Sequence, residues 1–415
     1  MKKVQLLKLF LAGLFLFVAI AFQEVEAQSD QGFIYGKITT IDNNTYTGQI
    51  RWGKEEAYWL DMFNSSKPRN RNLRYLSRDD REKLEDRHHS WTSRWSNIVV
   101  SGWGDRDHTH SFACNFGDIK SIDIIGRERI ELELKNGERL DLEGGSNDIG
   151  AQIRILDKEI GKLELKWSRI ETVEFLDTPA NISDKFGEPL YGTVETDEGD
   201  FTGFVQWDHD ERISTDKLDG DTDDGDVAIA FGKIKSIERD GRGCIIKLQS
   251  GREMYLTGSN DVNSGNRGII VNMPGMGRVD IKWREFRKVT FEKSSKGSGP
   301  AYSSFKPTKR LKGVIKTIRG ESISGELIYD LDEEFDMEII QGEQDDIEYL
   351  IPLRNISKIT PKNYDYTKIE LKNGKSVLLT DSQDVTDRND GVLVFEDKGD
   401  PIYIPWDEIE EIKLN

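Results

Sequence analysis

A chain of 415 residues that is 36% hydrophobic, with 18 Phe, 12 Tyr and 9 Trp, carries enough apolar material for packed cores, which excludes wholesale disorder. Its formal net charge of −18 repels phosphate backbones, so nucleic acid is not an expected partner. Two cysteines in so long a chain make no disulfide framework; Cys114 and Cys244 stand at unmatched positions and read as buried thiols.

Residues 1–27 have the layout of a secretory signal peptide. Lys2, Lys3 and Lys8 make a basic start, residues 9–22 are apolar and uncharged, and Val25-Glu26-Ala27 offers a small-residue cleavage site before Gln28. The apolar run is short for a bilayer span of ~20 residues. The expectation is therefore an exported protein, periplasmic, cell-surface or extracellular, with no membrane span left after cleavage.

The remainder is one unit written three times, at 32–177, 189–292 and 309–415. A glycine pair opens each unit: Gly36 and Gly48, Gly192 and Gly203, Gly313 and Gly325. A tryptophan closes each: Trp167, Trp283 and Trp406. Each repeat divides into two similar halves, in which strands alternate with Gly turns and the end follows the pattern apolar-x-x-x-Ile-x-x-Ile. FGDIKSIDI, FGKIKSIER and IPLRNISKI are the first-half endings, and KWSRIETVEF, KWREFRKVTF and PWDEIEEIKL the second. The spacing predicts a strand, one tight helical turn and a last strand. Alternation such as Ile-Glu-Leu-Glu-Leu at 130–134 gives one buried and one wet face. Gly137, Gly251 and Gly374 supply turns, and short strands with Gly turns indicate an all-β barrel or sandwich.

The run LKNG, a second strand, an Asp-bearing loop, a third strand and an Ile-rich closing strand resembles the Sm-like small β-barrel pattern. VETDEGDFTGFVQWD has the same layout, with Gly203 where that family bends its second strand. The resemblance implies an all-β chain of three tandem repeats, each made of two small five-stranded barrel halves. No helix precedes each half and the second halves lack the mid-strand Gly, so the family's RNA binding is not carried over. The segments 177–189 and 293–308 separate the repeats, and the Ser/Gly/Pro content of 293–308 reads as a flexible linker.

Repeat 1 alone carries an insertion, at about 60–111, with a helix expected over 78–89 behind Ser77 as N-cap. His88, His89, His108 and His110 lie there, as do Trp59, Trp91, Trp95 and Trp103. A basic stretch of Lys67, Arg69, Arg71, Arg74 and Arg78 runs through it. Trp91, Trp95 and Trp103 with Arg69, Arg71 and Arg74 are the candidate partner contacts; a private core is the plainer account of the tryptophans. His88, His108 and His110 are candidate Zn²⁺ ligands, weighed against solvated loop histidines. In the acidic loop 208–226, Asp219, Asp221 and Asp223 have the alternate spacing of a Ca²⁺ loop, although Asp224 and Ala230 break the EF-hand pattern. Solvated loops stand ahead of both metal readings, and no cofactor is expected. GSNDI at 145–149, GSNDV at 258–262 and DSQDV at 381–385 recur as turn-forming segments.

The chain has no nucleophile elbow, HExxH, phosphate-cradling loop or Cys cluster. The expectation is a non-enzymatic binding or scaffolding protein that meets a protein or glycan partner outside the cytoplasm through the repeat 1 insertion. The alternative is a glycan- or metal-linked enzyme with its site in that insertion.

Overall fold

The computed structural model describes residues 29–84, 110–144 and 148–415. Residues 1–27, read from sequence as a signal peptide, lie outside them. The chain is all-β, with antiparallel sheets throughout. Among the described residues no helix is long and apolar enough to cross a membrane.

Repeat 1 contains β1 (Tyr35–Thr40), β2 (Thr45–Trp52), β3 (Met62–Lys67), β4 (His110–Asn115), β5 (Ile119–Ile124), β6 (Arg129–Leu134), β7 (Arg139–Glu143), β8 (Ile153–Asp157), β9 (Gly161–Leu165) and β10 (Ile170–Phe175). Repeat 2 contains β11 (Tyr191–Thr196), β12 (Gly199–Trp207), β13 (Lys217–Thr222), β14 (Gly225–Ala230), β15 (Ile234–Asp240), β16 (Gly243–Leu248), β17 (Glu253–Leu256), β18 (Ile269–Met273), β19 (Gly277–Ile281) and β20 (Phe286–Phe291). Repeat 3 contains β21 (Lys312–Thr317), β22 (Ser322–Tyr329), β23 (Ile339–Gln344), β24 (Ile347–Pro352), β25 (Ile356–Pro361), β26 (Thr367–Leu371), β27 (Ser376–Leu379), β28 (Val392–Phe395), β29 (Ile402–Ile404) and β30 (Ile409–Leu414).

Strand order corrects the expected division into two consecutive halves. In repeat 1 the sheet runs β4-β3-β7-β6-β5-β10-β1-β2-β8-β9. The first two strands pair with the last three, and the middle five form a second group joined through β5 and β10. Each five-strand group thus takes two strands from one half of the repeat and three from the other. Repeats 2 and 3 keep this order for the eight strands that match, β17-β16-β15-β20-β11-β12-β18-β19 and β27-β26-β25-β30-β21-β22-β28-β29. The remaining hairpin of each repeat (β3–β4, β13–β14, β23–β24) touches the end of its own sheet by a single bridge: Ser66 to Glu143, Asp221 to Thr257, Glu343 to Thr380.

The glycine pairs are cross-strand neighbours: Gly36 faces Gly48, Gly192 faces Gly203, and Gly313 faces Gly325. Close approach of backbone is the reason for glycine here. A Cβ on Gly48 would lie 1.9 Å from the Leu156 carbonyl oxygen, and one on Gly325 2.2 Å from that of Phe395. Five of the six tight helical turns that the spacing predicts stand as 3₁₀ turns, at Phe116–Asp118, Phe231–Lys233, Leu353–Asn355, Trp167–Arg169 and Trp406–Glu408, while the ending at Trp283 makes a simple turn closed by the Glu285 N–H on the Lys282 carbonyl. Each 3₁₀ turn buries its first aromatic or Leu and aims the next Ile into the core.

The repeats are not beads on a string. β24 of repeat 3 pairs with β19 of repeat 2, so one sheet crosses the boundary and one hydrophobic core spans both repeats. The repeat 1 core takes in Phe335 and Met337 from repeat 3. Nor is 293–308 a free linker. Ser298 Oγ accepts from the Gly32 N–H at 2.8 Å, the Tyr302 hydroxyl donates to the Ile119 carbonyl at 2.7 Å, and the Phe305 ring fills the place a Cβ on Gly117 would occupy. Buried serines and half-buried aromatic rings, rather than composition, decide its order.

Candidate functional site

An acidic turn recurs after the second strand of every repeat: GKEEAYWLD at 53–61, DHDERISTD at 208–216 and DLDEEFDME at 330–338. Its last carboxylate closes the turn by accepting two backbone N–H groups. Asp61 takes those of Ala57 and Tyr58 at 2.7 and 2.8 Å, Asp216 those of Arg212 and Ile213 at 2.7 and 3.0 Å, and Glu338 those of Glu334 and Phe335 at 2.6 and 2.8 Å. Each of these carboxylates also meets a cation from another repeat. Arg212 reaches Asp61 at 2.6 Å, Arg51 reaches Asp216 at 2.6 Å, and Lys67 reaches Glu338. Repeats 1 and 2 are therefore locked reciprocally, and repeat 3 is tied to repeat 1. Arg354 adds a second tie by donating to the buried Asp118 at 2.7 Å. Burial opposes the charge on Lys67, but Glu338 and the acids beside it outweigh that and push its pKa above the usual lysine range.

Behind each turn stands the aspartate of the recurring GSND-type segment. Its backbone carbonyl accepts from a buried aromatic: Trp52 Nε1 to Asp148 and Trp207 Nε1 to Asp261, both at 2.9 Å, and the Tyr329 hydroxyl to Asp384. Its side chain accepts a backbone N–H of the neighbouring hairpin, from Asn64 at 2.6 Å, Asp219 at 2.7 Å and Gln341 at 2.7 Å. In repeats 2 and 3 the segment is a 3₁₀ turn, at Asn260–Val262 and Gln383–Val385, and in all three repeats its aspartate pins the hairpin to the sheet.

These groups gather carboxylates in buried places. Burial pushes Asp148 up to about 7, and burial followed by repulsion from Asp261, Asp210 and Asp208 pushes Glu211 up to about 9. Burial, then Asp148, holds Glu56 well above the carboxylate range. In repeat 3, Asp330, Asp332 and Glu333 each bring a carboxylate oxygen within 4.8 Å of the others, and no other such group of metal-ligand type occurs among the described residues. The readable signal was an aromatic followed by a turn ending in acid-Glu, in each repeat at the same distance from the glycine pair.

The residues singled out from sequence are distributed differently. Trp91, Trp95, Trp103, His88 and His108 lie outside the described residues. His110 opens β4, opposite Lys67. β3 and β4 are the counterparts of β13–β14 and β23–β24, so the insertion proper is the excursion between them rather than 60–111. Trp59 belongs to the core, with Nε1 on Thr178 Oγ1 at 3.0 Å and its ring 4.5 Å from that of Tyr302. The helix expected behind Ser77 begins at 78 and is described to 84, and Ser77 Oγ accepts the Asp80 N–H at 3.2 Å.

The described root of the excursion docks on repeat 3. Leu76 and Leu84 pack with Ile328, Leu331 and Leu393, and Asn72 Nδ2 donates to the Leu331 carbonyl at 3.0 Å. Arg69, Arg71 and Arg74 stay exposed. Arg71 meets Asp141 at 3.1 Å, and the Arg74 guanidinium lies over the Tyr75 ring at 4.7 Å. The acidic loop weighed as solvated against a Ca²⁺ loop is a turn followed by a two-stranded ribbon. Asp219 and Asp221 stand exposed on β13, and Asp223 in the turn to β14, where an extended strand does not curl three side chains round one ion.

No known protein family matches this chain, and no curated protein does. One solved structure that aligns is the crystal structure of the nematode sperm cell motility protein MFP2B, at 10% identity over 86% of this chain and 89% of that one. Its TM-score is 0.09, too low to carry an argument.

Proposed function

We propose that this chain is an exported, non-enzymatic binding or scaffolding protein that meets an anionic protein or glycan partner through the excursion of repeat 1. The observation that carries this reading is the anchored root of that excursion. Leu76, Leu84 and Asn72 fix it to repeat 3, while Arg69, Arg74 and Arg78 face solvent on a chain whose net charge is −18. A basic strip on an acidic body steers an acidic partner to one place and repels it elsewhere. Tying the repeats through buried ion pairs supports a scaffold role, because it holds that strip at a set position. The signal-peptide layout supports export.

The test compares the mature chain with the variant R69E/R74E/R78E, which leaves Arg71 on Asp141. Cross-linking pull-downs from envelope fractions are run at low and high salt, with melting curves for both proteins. A component held by the wild type, lost on charge reversal and weakened by salt is the expected result. Recovery of the same components by both proteins refutes the reading.

A further inference from the structure

Repeats 2 and 3 build the same acidic turn but neutralise it differently. In repeat 2 the Arg267 N–H donates to Asp208 at 2.5 Å, and its guanidinium meets Asp210 at 2.7 Å and Asp208 at 3.5 Å. In repeat 3 the corresponding N–H, donated to Asp330, belongs to Asp390. The register makes these positions equivalent: Trp207 pairs with Ile269 and Tyr329 with Val392, each two residues further along. The flanking asparagines agree, since Asn266 and Asn389 both accept the next glycine N–H at 2.9 Å. Where repeat 2 places a guanidinium, repeat 3 places another carboxylate.

The consequence is a dense negative site. Asp330, Asp332 and Glu333 are only 2%, 4% and 7% exposed. Glu333 Oε2, buried among them, has no hydrogen-bond partner. Lys67 approaches from repeat 1, but its ammonium is held by Glu338 and the Asp332 carbonyl. Burial first, then repulsion from Asp390 and Asp332, raises the pKa of Asp330, and burial with Asp332 and Asp384 does the same for Glu333. A cavity of about 210 Å³ adjoins Glu333, Glu338 and Asp384, with room for water ligands.

We propose that Asp330, Asp332 and Glu333 form a Ca²⁺ site that replaces the arginine of repeat 2. The ligands are all hard oxygens, which disfavours Zn²⁺. The oxygens of these three groups lie within 4.8 Å of one another, close enough to share one cation. Three buried carboxylates favour Ca²⁺, which takes about six to eight oxygens, over Mg²⁺, which keeps several waters and takes one or two carboxylates. The ion binds the turn whose Asp332 carbonyl and Glu338 carboxylate receive Lys67. It thereby stiffens the tie between repeats 1 and 3, in the turn where Leu331 also seats the root of the excursion.

The test is calorimetric titration of the chelator-treated full chain with CaCl₂, MgCl₂ and ZnCl₂, with melting curves beside it. The wild type is expected to bind Ca²⁺ in preference to the other two and to melt about 5 °C higher at 1 mM Ca²⁺. Asp390→Arg should abolish this Ca²⁺ binding and melt, without calcium, at or above the calcium-loaded wild type. Glu333→Gln should weaken Ca²⁺ at least about tenfold, because a neutral amide replaces a charged ligand. Absence of Ca²⁺ binding overturns the proposal, and so does tighter binding of Mg²⁺ or Zn²⁺. Unchanged affinity in both variants puts the ion elsewhere and overturns it as well. If Glu333→Gln does not fold, Asp390→Arg decides alone.

Discussion

Replacing Arg212 by Met tests the lock between repeats 1 and 2. Arg212 is fully buried, donates to Asp61 at 2.6 Å and lies 4.6 Å over the Tyr58 ring. Removing one member of a buried ion pair costs about 3–5 kcal/mol, and losing the cation–π contact adds about 0.5–2 kcal/mol. Two features of the site pull the figure down. Asp61 keeps the N–H groups of Ala57 and Tyr58 and the Asn272 amide at 2.9 Å. Arg212 itself leaves Nε and Nη1 without hydrogen-bond partners, and Met relieves that cost of about 1–3 kcal/mol. The net loss for Arg212→Met is about 2–3 kcal/mol. Asp61→Asn should be worse, at about 4 kcal/mol, because it strands a buried cation and weakens the turn. Urea unfolding of the full chain measures both, read from transition midpoints with m-values checked for a change in cooperativity. A loss under about 1 kcal/mol for Arg212→Met, or a milder effect for Asp61→Asn, refutes the reasoning.

Two further outcomes follow from the buried carboxylates and the glycine pairs. Glu211 has its folded pKa raised from 4.5 to about 9, so its native state holds a proton that the unfolded chain releases. Its contribution is fully present below about pH 4.5 and is lost as pH rises toward 9. Stability measured by urea should therefore fall between pH 5.5 and 8.5, and Glu211→Gln should flatten that slope; an equal slope in the variant counts against the burial. Gly48→Ala, whose Cβ would meet the Leu156 carbonyl at 1.9 Å, should cost roughly 3 kcal/mol or more in the same assay. Gly126→Ala, with nothing within 4 Å, should stay within about 0.5 kcal/mol, and equal losses at the two sites refute the close-approach argument.

Much of the fold was legible because it is local. Alternation in Arg129–Leu134 marks a strand with one buried face, and Phe-Gly-Asp before Ile119 marks a 3₁₀ turn into the core. The glycine pairs, recurring 12, 11 and 12 residues apart, marked the repeat. The GSND-type turn was legible for the same reason, since Asn, Asp and Ser bend their own backbone wherever they stand. The carboxylate cluster was not legible as a site. Its acids look like those of the exposed ribbon at Asp219 and Asp221, and burial alone separates them.

By itself, then, the sequence determined the β class, the three repeats and the turns that end each half, because those depend on the period of side chains along one chain. Only the tertiary structure decided that the halves exchange strands, that β24 completes the sheet of repeat 2, and that 293–308 packs on repeat 1. An apolar strand face presents the same pattern to any partner, so pairing is settled by closure of the whole sheet. The charges are settled in the same way. Asp390 stands in space where Arg267 stands in the neighbouring repeat, and what that does to Asp330 depends on the water excluded round them.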